Sequence, residues 1–182
     1  MKKLIPIINL RIRKNKMKKN RKIFIIIVIF LALLLVFGNK SYKSTVKQYV
    51  TATMQGDGRK VVNLMPKQYV RLAISQGSYK NKSEMVADYN DVLNKNMESF
   101  ENTFGEDWKY KYKIKDVYKY QKSEIEGFIT ISNYGYLLPK VRAIKEVTYE
   151  LTVYSNEYES STNETILLVK LGRKWYVADA YS

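Results

Sequence analysis

The stretch WKYKYKIK, Trp108–Lys115, decides the fold. Trp108, Tyr110, Tyr112 and Ile114 alternate with Lys109, Lys111, Lys113 and Lys115. Successive side chains on a strand point to opposite faces, so this two-residue period describes a strand with one apolar and one solvated face. Just before it the period is helical. Met85, Tyr89, Val92, Leu93, Met97, Phe100 and Phe104 recur at three- and four-residue intervals, an apolar stripe along a helix. Asn81 suits the cap of that helix, Glu84 completes a box-like pair, and Gly105 suits its end. The chain changes from helical to extended between Phe104 and Trp108.

Working outward, both halves keep their character. Upstream, Tyr42, Val46, Tyr49, Val50 and Thr53 define a helix that Gly56-Asp57-Gly58 ends, with Asp57 as a turn or cap residue. Val61, Val62 and Met65 mark a second helix, stopped by Pro66. Residues 68–75 mark a third, closed by Gly77. Downstream, Val147, Tyr149, Leu151 and Val153 alternate with Thr148, Glu150 and Thr152. Residues 156–161 read as a polar loop. Residues 165–171, apolar at nearly every position, read as a central strand. Gly172-Arg173 suits a type II′ hairpin turn into a last strand, 174–181, with Trp175 and Val177 on one face. Residues 121–142 give the weakest pattern: a strand around 127–131, then a loop through Pro139. Helices followed by antiparallel strands predict an α+β domain whose curved sheet packs on the N-terminal helices.

The charge is concentrated at the start. The 182 residues carry a net charge of +15, yet residues 1–40 hold eleven Lys or Arg and no acid, leaving 21 basic and 17 acidic side chains for the rest. Beside this block runs Ile23–Phe37, fifteen residues without a polar side chain and with Phe30 at its centre. With Gly38 it spans roughly 24 Å as a helix, against ~30 Å of hydrocarbon. Lys22 and Lys40 can reach the interfaces and make up part of the difference. Lys18, Lys19, Arg21 and Lys22 lie on one flank, so the positive-inside rule keeps the N-terminus cytoplasmic and exports the residues after Gly38. The expected division is a basic cytoplasmic tail (1–22), a transmembrane helix (23–38), a short stalk (39–43) and one extracytoplasmic domain (44–182). The tail sets topology and can touch anionic lipid; this reading is preferred to nucleic-acid binding. A cleaved signal peptide is the rival, disfavoured by the long leading segment and the lack of an A-x-A pattern.

Two stretches carry a resemblance. TVKQYVTATMQGDGRKVVNLMP, Thr45–Pro66, resembles the opening helix pair of the NTF2-like superfamily, in which an amphipathic helix ends at a Gly-Asp turn and a short helix comes next. ILLVKLGRKWYVADA, Ile166–Ala180, resembles that superfamily's closing hairpin. The resemblance implies a cone-shaped sheet over helices. That fold hosts hydratases, isomerases, polyketide cyclases and non-catalytic modules, so it leaves function open. A single-span protein with such a domain outside also resembles VirB8-like subunits of secretion and conjugation systems and anchored envelope domains of Gram-positive bacteria. The richness in Ile, Lys and Asn fits an AT-rich Gram-positive source.

Composition narrows the chemistry. There is no histidine and no cysteine, so imidazole metal sites, His-based triads, thiol nucleophiles and disulfides are all excluded. No phosphate-binding glycine loop is present. No metal or cofactor is expected. The one catalytic candidate is Asp179, two residues past Val177 on the same strand face, if that face lines the cone; the plainer reading leaves it solvated near the chain end. Tyr110, Tyr112, Tyr149 and Trp175 are ligand-pocket candidates, with core packing as the plainer reading. The lysine row 109–115 points away from its interleaved aromatics, which disfavours a base-stacking platform and leaves a protected edge or a contact with anionic wall polymer. The reading favoured is a non-enzymatic binding subunit with a protein or anionic envelope partner, self-association being compatible with it. The alternatives are a cone-pocket isomerase or dehydratase and a small-ligand carrier.

Overall fold

A computed structural model of the protein describes residues 41–131, 135 and 140–181. The apolar run at 23–37, its basic flank, and the loop through Pro139 lie outside them. Among the described residues no helix is long and apolar enough to cross a membrane.

Among the described residues four helices come first. Helix α1 (Tyr42–Met54) starts at Ser41, whose side chain accepts from the Lys43 N–H at 3.2 Å. It buries Val46, Val50 and Met54. Gly56 then takes φ 67°, in the left-handed region open to glycine, and breaks the helix. Asp57 caps α2 (Gly58–Leu64), accepting from the Lys60 N–H at 2.9 Å. Pro66 opens α3 (Lys67–Ser75). Asn81 caps α4 (Lys82–Phe104), accepting from the Glu84 N–H at 3.0 Å, while the Glu84 carboxylate reaches back to the N–H of Lys80. Gly58 marks where α2 meets α4. A Cβ built on it would lie 2.7 Å from the Asn90 backbone nitrogen, and the Gly58 N–H donates to Asn90 Oδ1 at 2.8 Å. Val92, expected in the buried stripe of α4, is 52% exposed. The helix buries a narrower face, centred on Met85 and Leu93.

Next come β1 (Lys109–Lys119), a helix α5 (Lys122–Ile131), β2 (Val141–Tyr154), β3 (Glu159–Leu171) and β4 (Lys174–Tyr181). The strands form a curved antiparallel sheet in the order β1-β2-β3-β4. The predicted α+β class and central third strand are therefore observed. Strand β3 starts earlier than predicted, because Glu159, Ser160 and Ser161 pair with Tyr154, Val153 and Thr152 and shorten the polar loop. Gly172 has φ 62° and no non-glycine residue among those described has positive φ, so Arg173 stays at negative φ, as a type II′ turn requires. Irregularities interrupt both outer strands, at Lys115 in β1 and at Ala178 in β4.

The strand predicted around 127–131 is instead the end of helix α5. Glu124 holds its first turn, accepting from the Gln121 N–H at 2.5 Å and from the Tyr118 hydroxyl. Ile125 and Phe128, three residues apart and so on one helical face, pack on Ile144, Leu167 and Val169. These residues form a small core on one face of the sheet. The opposite face carries the main core, where Val147, Tyr149, Leu151, Val153, Ile166, Leu168 and Val177 meet α1, with Phe100 and Phe104 of α4 alongside. Each aliphatic side chain buried there contributes about 1.5–3 kcal/mol relative to exposure.

Candidate functional site

The sequence-derived pocket residues lie on the helix-covered face of the sheet, but they do not line one cavity. Tyr149 is buried, and Tyr112 meets it edge-on with centroids 6.2 Å apart. Tyr110 packs beside Trp108, which lies 5.3 Å from Phe100. These three tyrosines are core packing. Trp175 is set apart, edge-on to Tyr42 at the start of α1, with centroids 6.3 Å apart.

Asp179 does not lie where simple alternation puts it. The irregularity at Ala178 pairs Val177 with Leu168 but Asp179 with Leu167, so the two do not share a face by register. Asp179 is exposed, and its Oδ1 accepts from the N–H of Ala180 at 2.9 Å. The acid that does face the core side is Glu164. It pairs with Tyr149 across β2 and β3 and is half-buried. Burial raises its carboxyl above the usual range. Burial also pushes the Tyr49 phenol up to about 12, with the charges of Glu164 and Asp179 adding to the effect. Tyr149 is raised as well, first by burial and then by Tyr49 and Glu164. Both phenols therefore keep their protons at neutral pH and can donate hydrogen bonds. Glu164 is legible in the sequence, since it continues the Ile166 and Leu168 face by twos.

A second concave feature has no signature in the sequence. A cleft of about 590 Å³ runs along the flank of α1, bounded by the junction of α2 with α3 and by the start of β4. Four lysines line it: Lys47, Lys60, Lys67 and Lys174. Lys60 is paired with Asp57 at 2.8 Å. The other three take no part in the ion pairs found among the described residues. Leu64, Met65 and Trp175 supply an apolar wall, and Ser44, Thr45 and Thr51 supply hydroxyls. Among the described residues no acidic side chain lines the cleft.

Positive charge continues behind Trp175. Lys145 Nζ sits 3.9 Å from the centroid of the Tyr42 ring and 6.0 Å from that of Trp175. Lys170 Nζ lies 5.8 Å from the Trp175 ring centroid. Such contacts hold a cation by the ring's negative face. Lys145 is nonetheless pushed below the usual ammonium range, first by burial and then by repulsion from Lys119 and Lys43.

The lysine row of β1 is different. Lys111 pairs with Glu159 of β3 at 3.2 Å and Lys115 with Glu150 of β2 at 3.0 Å, so carboxylates of the sheet already neutralise half of it. Among the described residues no group of three or more Asp or Glu could hold a metal ion. Comparison with protein-family models, with curated proteins and with solved structures finds no match to this chain.

Proposed function

We propose that the chain is a membrane-tethered, extracytoplasmic module of NTF2-like type that binds a protein or envelope component without chemical turnover. The tether rests on the apolar run 23–37 and its basic flank. The binding role is carried by one observation: the cleft beside α1 offers ammonium groups, hydroxyls and an apolar wall, with no carboxylate among its described lining residues. Association with a secretion, conjugation or other envelope complex is consistent with this placement. Protease added to intact cells producing the full chain, tagged at its C-terminus, should remove the tag. Survival of the tag while an authentic surface protein is digested would overturn the reading.

A second reading rests on Glu164. A half-buried carboxyl of raised pKa, close enough for its charge to act on Tyr49 and Tyr149, is a starting point for an isomerase or dehydratase. It predicts a turnover that Glu164→Gln abolishes.

A further inference from the structure

The cleft beside α1 presents an unusual balance of charge. Lys47, Lys67 and Lys174 come from three separate elements, converge on one cavity and have no carboxylate partner there among the described residues. The three ammonium groups are exposed and none is neutralised by an ion pair among the described residues, so the cleft presents net positive charge to solvent. Lys43, Lys119, Lys145 and Lys170 add to the same field around Tyr42 and Trp175. An anion entering the cleft would be attracted by all of them.

The shape and lining narrow the choice of anion. Ammonium groups on flexible stems act as point charges and do not form the planar fork that matches a carboxylate. Several of them around one site call for a group with several acceptor oxygens, as a phosphate has. Leu64, Met65 and the Trp175 ring then offer apolar surface beside the charge, which a small inorganic ion would leave wet. We infer that the α1 cleft binds a phosphate-bearing amphiphile, the phosphate held by Lys47, Lys67 and Lys174 and its apolar portion lying against Leu64, Met65 and Trp175. This inference rests on the binding reading above and supplies its ligand class.

Trp175 lines the cleft and reports on its occupancy. The full chain, held in nanodiscs of phosphatidylcholine, is titrated with octyl phosphate below its micelle threshold while tryptophan emission is followed. Saturable change is expected, and it should vanish in Trp175→Phe. The triple variant Lys47→Gln, Lys67→Gln, Lys174→Gln should weaken binding by about tenfold or more. Its folding is checked by circular dichroism, and its basic N-terminal tail is unaltered. Inorganic phosphate and octyl glucoside, each carrying half of the proposed chemistry, should bind more weakly than octyl phosphate. Unchanged affinity in the triple variant, or equal binding of octyl glucoside, would overturn the assignment. So would a Trp175 signal seen only when phosphatidylglycerol is built into the nanodisc and never with octyl phosphate, because that result means contact with a bilayer surface. To separate a bound lipid from a soluble ligand, the protein is extracted from its native membrane and its phosphorus-containing lipids are measured against the triple variant. Enrichment identifies a lipid source; no enrichment, with octyl phosphate still bound, identifies a soluble one. Removal of the tag by external protease alongside loss of octyl phosphate binding would reject the ligand while leaving the extracytoplasmic placement intact.

Discussion

The two faces of the sheet are built from alternate residues of the same strands, yet they differ in kind. On the face under α1, Val147, Ile166 and Leu168 are fully buried, and the apolar run continues along β2 to Val153. On the opposite face, Ile144, Leu167 and Val169 are buried only where α5 covers them. Beyond α5 that face turns polar. Thr148 meets Thr165 at 3.2 Å, and Thr152 meets Ser161 at 2.8 Å. One strand pair thus has apolar packing on both faces at one end and on one face at the other, where the second face carries hydroxyls, Thr152 among them buried. The covering helix, not strand propensity, sets which.

That contrast can be broken at its strongest point first. Leu168→Ala removes a fully buried side chain beneath α1 and should cost about 2–5 kcal/mol in denaturant unfolding. A loss under about 1 kcal/mol would mean that the main core does not hold this face. Phe128→Ala attacks the second face. Phe128 is itself only half-buried and the core it joins is the smaller one, so a loss of about 1–3 kcal/mol is expected. Hydrogen exchange should quicken in α5 while α1 keeps its protection; equal loss in both would deny that the two cores are distinct. Ser161→Ala strands the hydroxyl of Thr152, which is 4% exposed, and should cost about 1 kcal/mol.

The smallest effect is a gain. Glu164 has a carboxyl pKa above its unfolded value, so the folded state disfavours its charge. The cost is fully present above the folded pKa and disappears as pH falls below the unfolded value of about 4.3. Glu164→Gln should therefore raise the melting temperature slightly at pH 7 and leave it unchanged at low pH. A drop at pH 7 would show that the carboxylate is held by a favourable contact.

Much of this architecture is legible in the sequence. The helical stripe of α1, the Gly-Asp-Gly break, the caps at Asp57 and Asn81, the alternation of β1 and the Gly172-Arg173 turn are local signals, and local geometry obeys them. Helix α5 departs from expectation because Phe128, Ile129 and Ile131 beside Gly127 favour a strand by propensity. The contrary signal is Glu124, three residues after Gln121, in the position of a residue that reaches back to a helix start. Asp179 leaves its expected face because one extra residue in β4 breaks alternation, and a bulge leaves little trace in a single sequence. The basic cleft is not legible at all. Lys47, Lys60, Lys67 and Lys174 share no motif, and only the packing of α1, α2, α3 and β4 brings them together.

The irregularities in the two outer strands have a consequence for crowded conditions. A sheet with open margins can recruit an identical neighbour by continuing its ladder of backbone hydrogen bonds. Here each margin is kinked, at Lys115 on one side and at Ala178 on the other, and the first also bristles with lysines. Copies brought to high local density are thus hindered from zippering rim to rim into fibrils, even without a cysteine to lock the body shut.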